Sequence, residues 1–138
     1  MFIAIINQFM ISILMMIGQF SHYDTHHILQ EKPLPKLIIA GEDIKKYCGS
    51  INHLGCYSAP SNVIVVKKLR PQNKFDYAIL AHELFHYVQW HNNKRVQLEP
   101  ETYQFERKFH AMLKNGKFVL SDKHLNKELI ENYTKAIY

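Results

Sequence analysis

A chain of 138 residues, 47% of them hydrophobic and 21% charged, can build one compact core but not two domains of ordinary size. We therefore predict a single domain over residues 1–138. Five glycines and five prolines exclude collagen-like and Gly/Pro-rich disordered chains, and 12% aromatic residues indicate a packed interior. The net charge of +5 favours acidic partners, but the basic residues are scattered and give no specific nucleic-acid-binding signature.

The first 23 residues carry no charged side chain, and Asp24 is the first charge in the chain. The run lacks the basic start and small-residue end of a signal peptide, and polar residues interrupt the apolar length that a membrane-spanning helix needs. Gln8, Ser12 and Gln19 fall on one narrow stripe of a helix, which is typical of a helix buried over most of its circumference. Residues 1–23 are thus predicted as an apolar helix that either belongs to the core or acts as a signal or membrane anchor. Localisation, cytoplasmic or exported and membrane-attached, depends on that choice.

Short strands and turns are predicted after this run. An apolar stretch at 37–40 predicts a strand, and residues 42–47 predict a helical turn or two. Residues 56–58 and 62–66 predict a hairpin, because both segments favour strands and an Ala-Pro-Ser turn lies between them.

The chain has two cysteines, Cys48 and Cys56. They do not form a CxxC pair, which excludes a four-thiolate zinc site, and a framework of several disulfides is excluded too. Two alternatives remain open. One disulfide would close a short loop and imply an oxidising compartment, whereas two packed free thiols would not.

Three helices are predicted in the second half of the chain. Residues 75–92 place apolar side chains at positions 77, 80, 81, 84 and 88, the spacing of a helix with one buried face. Pro100 suits the first turn of a second helix, which runs to about residue 115, where Gly116 is suited to end it. Residues 121–137 predict a last amphipathic helix.

The first of these helices carries His82-Glu83-Leu84-Phe85-His86, which is the H-E-x-x-H pattern. Four residues make just over one helical turn, so both imidazoles project from one face, close enough to share a metal ion. Glu83 is displaced by one residue, so its carboxylate is expected to reach a metal-bound water rather than the metal. A chain with nine histidines and eight glutamates is expected to contain about 0.03 accidental matches, so chance does not explain the pattern.

The residues around this motif, Ala81 to Gln89, resemble the active-site helix of the zincin metallopeptidases. The later segment Glu99-Pro-Glu-Thr-Tyr103 resembles the E-x-x-A-[DNY] element with which the gluzincin branch supplies its third metal ligand, with threonine where alanine is usual. The resemblance is closest to small bacterial HExxH domains. It implies an α+β, zincin-like fold in which a small sheet or hairpin packs on the HExxH helix and two further C-terminal helices follow. It also implies Zn²⁺ as the cofactor and a protein or peptide as the substrate.

The third ligand is expected to be a carboxylate. A catalytic zinc ion takes three protein ligands, and no third histidine follows at the H-E-x-x-H-x-x-G-x-x-H spacing. Four polar side chains recur at intervals of four, three and four residues and therefore share one face of the second helix: Glu99, Tyr103, Glu106 and His110. The resemblance selects Glu99 as the ligand. Glu101, which points about 200° away from it, is the alternative.

The neighbouring residues each have two interpretations. Glu101 and Glu106 fit solvated acids near a helix N-terminus, where the helix dipole favours negative charge. Tyr103 either assists catalysis, through a hydrogen bond to a ligand or to the reacting oxyanion, or is a core side chain. Gln89 could support the metal site.

The pattern predicts a zinc metallopeptidase that hydrolyses a peptide (amide) bond. Zinc held by His82, His86 and Glu99 would lower the pKa of its water, and Glu83 would take the water's proton and pass it to the leaving amine. The main alternative is a non-catalytic zinc-binding interaction or regulatory module on the same scaffold. A further alternative is a membrane-attached interaction protein in which the motif is incidental.

Overall fold

The structure is a computed structural model that describes residues 2–70, 72–92 and 97–116. In this part of the chain an α+β arrangement is formed by five α-helices and three strands. In chain order these are α1 (Phe2–Phe20), α2 (His26–Glu31), β1 (Lys36–Ile39), α3 (Ile44–Cys48), β2 (Gly55–Ser58), β3 (Val63–Val66), α4 (Lys74–His91) and α5 (Glu99–Lys114). The last predicted helix, at 121–137, lies outside the described residues.

The strands form one mixed sheet in the order β1-β3-β2. β3 is central. It pairs in parallel with β1, with Lys36 opposite Val63, and antiparallel with β2, with Gly55 opposite Val66. The predicted hairpin is confirmed, and the first strand begins one residue earlier than predicted. Because β3 is β-branched throughout and largely buried, it can pack on both faces, against the main core on one side and a small cluster beneath α3 on the other.

Helix α4 lies at the centre of the molecule. Its N-terminus is capped by Asn73, whose side-chain oxygen accepts the Asp76 N–H at 2.9 Å. The buried Asp76 carboxylate is in turn held by the Arg70 guanidinium at 2.8 and 3.0 Å. The sequence predicted one buried face, and that prediction is wrong: 13 of the 18 residues are buried. The reason is that α1, α5 and the sheet all pack against α4 and leave little of its surface to solvent.

Helix α1 is part of the core. Its side chains between Ile6 and Ile17 are mostly buried, and it packs directly on α4. The predicted stripe faces outwards, since Gln8 and Gln19 are exposed and Ser12 is half-buried. Among the described residues, none of the helices combines the length and apolar character needed to cross a membrane.

Cys48 and Cys56 are joined in a disulfide, with their Cα atoms 5.8 Å apart. The bond connects the end of α3 to β2. Gly49, in the left-handed conformation at φ 87°, ends α3 and starts the enclosed loop. The bond therefore fixes the position of β2 and of the loop before it, both of which border the cavity described next.

Candidate metal centre

His82 and His86 converge on a single carboxylate, that of Glu99. His82 Nε2 lies 3.1 Å from Glu99 Oε2, and His86 Nε2 lies 2.8 Å from Glu99 Oε1. Both imidazoles are buried and project from one face of α4, while Glu99 is the first residue of α5. One ligand atom from each of the three residues lies within 4.8 Å of the others. This buried His-His-Glu group could hold a metal ion.

Two imidazoles and one carboxylate are a donor set that suits a divalent metal ion. In a tetrahedral site with bonds of about 2.1 Å, neighbouring ligand atoms lie about 3.4 Å apart, so three atoms within 4.8 Å of one another need only a small movement to surround an ion. Glu99 Oε2 is buried and makes no hydrogen bond with any described residue. A buried carboxylate oxygen without a donor is costly unless a cation or a proton satisfies it.

The outer nitrogen of each imidazole also has a polar neighbour. His86 Nδ1 lies 2.8 Å from Gln89 Oε1, and His82 Nδ1 lies 2.9 Å from Glu106 Oε1. The second contact lacks hydrogen-bond alignment, but Glu106 stands where it can accept the Nδ1 proton. Such outer partners orient metal-binding histidines. The interpretation of Glu106 as a solvated acid is therefore wrong. Glu106 lies on the same face of α5 as Glu99, and this face is directed towards His82.

Glu83 is buried and borders the same cavity, and it is not part of the ligand group. Burial raises the pKa of Glu83 to about 8; His82 opposes the rise, and Glu99 and Glu106 add to it. Its stem packs on β2 at Gly55, where an added Cβ would lie 3.3 Å from Glu83 Cγ. Glycine at position 55 thus leaves the space that the Glu83 side chain occupies, a role that the sequence did not reveal.

The pKa values of the two imidazoles shift in opposite directions in this environment. Burial alone would lower the pKa of His82, but the carboxylates of Glu106, Glu83 and Glu99 outweigh burial and raise it. Burial lowers the pKa of His86, and the opposing contacts of Gln89 and Glu99 do not overcome it. A neutral imidazole is the form that binds a metal, so the deeper His86 is held near its ligating state.

A cavity of about 490 Å³ is lined by the His-His-Glu group together with Glu83 and Tyr103. The Tyr103 ring contacts the His82 ring edge-on, with centroids 4.8 Å apart, and 47% of the residue is exposed. Tyr103 is therefore not a core side chain. The cavity wall opposite α5 is formed by β2 and the loop before it, including Leu54 and Cys56.

Glu101, the alternative third ligand, faces away from the metal group. Its Oε1 accepts hydrogen bonds from the Tyr23 hydroxyl and from Gln89 Nε2, the latter at 2.8 Å. The interpretation of Glu101 as a solvated acid is wrong as well, since these contacts tie it to α4 and to the residues after α1. Glu99 and Glu101 point about 200° apart on α5, which explains why only Glu99 reaches the histidines.

The chain was also compared with known proteins. It matches no protein-family profile, no curated protein and no solved structure. The interpretation of the centre therefore depends on its own residues and geometry.

Proposed function

We propose that this chain is a zincin-like zinc metallopeptidase that hydrolyses a peptide bond. One observation carries the proposal: two imidazole nitrogens and one carboxylate converge, while a second buried carboxylate, Glu83, stays outside the ligand group in the same cavity. A structural zinc site is usually closed by four protein ligands, whereas three ligands beside a free carboxylate suit hydrolysis.

The residues divide into three roles. His82, His86 and Glu99 would hold the metal ion. Zinc bound there supplies Lewis acidity and lowers the pKa of water towards about 7. Burial raises the pKa of Glu83, and the positive charge of an ion held by the three ligands would favour its ionised form.

Glu83 acts as the general base. It takes a proton from the attacking water and later gives that proton to the leaving amine nitrogen as the C–N bond breaks. Tyr103 contacts the His82 ring, lines the same cavity and is half-exposed, so its hydroxyl is suited to donate a hydrogen bond to the oxyanion of the substrate. A protein or peptide substrate would enter the cavity beside β2, which is lined by these same residues.

The proposal is tested with purified protein by metal analysis and by hydrolysis of a mixture of synthetic peptides, followed by mass spectrometry. Wild type is expected to carry close to one zinc per chain and to cleave peptides. Glu83→Gln should keep the zinc and lose about 10²- to 10⁴-fold in rate, because only the base is removed. Glu99→Ala should lose zinc, whereas Glu31→Ala, an exposed acid on α2, should behave as wild type.

Three results would count against the proposal. Wild type with less than about 0.2 zinc per chain, never exposed to a chelator, would remove the metal centre. A Glu99→Ala variant with full zinc content would show that the third ligand is wrong. Full peptide cleavage by Glu83→Gln would exclude the proposed base, and a zinc-loaded wild type without cleavage would favour a binding module.

A further inference from the structure

Gln89 makes an unusually complete set of contacts beside the metal centre. Its Oε1 lies 2.8 Å from His86 Nδ1 and accepts the Leu98 N–H at 3.3 Å. Its Nε2 has three acceptors: the Leu98 carbonyl at 3.1 Å, Glu101 Oε1 at 2.8 Å and Thr102 Oγ1 at 3.1 Å. The Thr102 hydroxyl is an acceptor here because its own proton goes to the Leu98 carbonyl at 2.7 Å. Gln89 is buried, so these contacts are not exchanged with bulk water.

This environment permits one orientation of the Gln89 amide. Reversing it would place the amide oxygen against a carbonyl and a carboxylate, and the amide nitrogen against the Leu98 N–H. The Glu101 carboxylate is itself held by the Tyr23 hydroxyl. An acceptor, Oε1, therefore always faces His86.

The orientation of Gln89 determines where His86 carries its proton. Since Oε1 can only accept, Nδ1 must donate, and a neutral imidazole then has a bare lone pair on Nε2. That lone pair faces Glu99 Oε1 at 2.8 Å. Two acceptors at this distance repel one another unless a proton or a metal cation is shared by them, so the pair is suited to bind a cation.

Gln89 also fixes the start of α5. Its amide pairs with both the N–H and the carbonyl of Leu98, the residue directly before Glu99. We propose that Gln89 is the positioning residue of the metal centre, which holds His86 in the Nδ1-protonated tautomer and presents Glu99 to the same ion. This inference rests on the proposed metal site and adds to it the residue that assembles two of its three ligands before metal arrives.

The tautomer is measured by NMR of ¹⁵N-histidine-labelled protein after chelation, at about pH 8, well above the ordinary histidine pKa of about 6.5. Wild type is expected to show His86 with the proton on Nδ1. Gln89→Met has similar length and no polar group, so the proton should move to Nε2, where Glu99 Oε1 can accept it. A merely structural role of Gln89 would change stability but not the position of this proton.

Metal affinity is measured by Co²⁺ titration of the full chain. Gln89→Met is expected to bind about 10- to 100-fold more weakly, the usual effect of removing an outer partner of a ligand. Gln89→Glu keeps the acceptor for His86 but places two carboxylates together, so it should keep the tautomer and lose affinity. Adding Glu101→Gln exchanges the amide and carboxylate between the two positions and should recover much of that loss.

The inference is overturned if Gln89→Met keeps the Nδ1-protonated tautomer and binds Co²⁺ as tightly as wild type. If Gln89→Met does not fold, the Gln89→Glu variant and the exchanged pair decide, and equal affinity of all three proteins would overturn it. Failure of the metal site gives a different result, because wild type would then bind no Co²⁺ while the NMR measurement on chelated protein would still report whether Gln89 sets the tautomer. A wild type that binds Co²⁺ but cleaves no peptide would defeat the proposed hydrolysis and leave the inference on Gln89 standing.

Discussion

Two buried tyrosines on α4 should respond in opposite ways to loss of their hydroxyl groups. Tyr77 and Tyr87 are both fully buried. The Tyr87 hydroxyl donates to the Pro33 carbonyl at 2.7 Å, whereas the Tyr77 hydroxyl has no hydrogen-bond partner among the described residues. Burial raises the pKa of Tyr77, with the charge of Asp76 adding to the rise, so its hydroxyl stays protonated without an acceptor.

The expected sizes follow from these contacts. Burying a hydroxyl without a partner costs about 1–3 kcal/mol. Removing the oxygen recovers this cost, but the small void that it leaves loses some packing energy. Tyr77→Phe should therefore raise the free energy of unfolding by about 1 kcal/mol. Tyr87→Phe loses a hydrogen bond and should lower it by about 1 kcal/mol. At this chain length each kcal/mol corresponds to about 4 °C in Tm.

Urea and thermal unfolding of wild type and the two variants, all at the same zinc concentration, measure the difference. The two substitutions remove the same atom from the same helix, so each is the control of the other. If Tyr77→Phe is destabilised as much as Tyr87→Phe, the Tyr77 hydroxyl has a partner and the reasoning is refuted. If the free energy of unfolding depends on urea concentration with the same slope in all three proteins, their denatured states are comparable.

Three further predictions concern the surroundings of the candidate metal centre. Replacing Cys48 and Cys56 by serine should lower the free energy of unfolding by about 2.5 kcal/mol, the loop-closure contribution for a bond eight residues apart, and a thiol count on denatured wild type should give zero. In chelated protein the raised pKa of Glu83 means that the folded state binds more protons between about pH 4.5 and 8. Stability should therefore fall as pH rises through that window, and in Glu83→Gln the fall of the urea midpoints with pH should be shallower. Gly55→Ala would place Cβ 3.0 Å from a backbone oxygen of β3 and 3.3 Å from Glu83. We therefore expect about 1–3 kcal/mol of destabilisation and slower hydrolysis. An unchanged stability together with an unchanged rate would contradict the close contact.

The local part of the centre could be predicted because helical geometry fixes it. The four-residue spacing of His82 and His86 places them on one face wherever α4 lies, and the spacing of Glu99, Tyr103 and Glu106 does the same on α5. The structure brings both faces to one cavity. Prediction of the hairpin succeeded for a similar reason, since a short turn between two β-favouring segments leaves few alternatives.

Features that depend on contacts between distant residues could not be predicted. The parallel pairing of β1 with β3 joins segments separated by more than 20 residues, and no local signal specifies it. The all-round burial of α4 depends on three other elements that pack against it. The choice between a disulfide and two thiols likewise required the distance between Cys48 and Cys56. For Glu106 the signal was present in the shared face with Glu99, but the preference of acids for helix N-termini gave an equally simple explanation.

The same packing that hides α4 explains how a small domain can hold several ionisable groups in one place. Three carboxylates and two imidazoles meet beside a helix from which water is largely excluded, and such a group is unfavourable unless opposite charge balances it. Burial raises the pKa of Glu83, while one buried oxygen of Glu99 has no hydrogen bond to any residue that the structure describes. Neither feature stabilises the fold by itself. Both would be relieved by a cation held by His82, His86 and Glu99, so the cost of assembling these side chains supports the proposal that the group binds a metal ion.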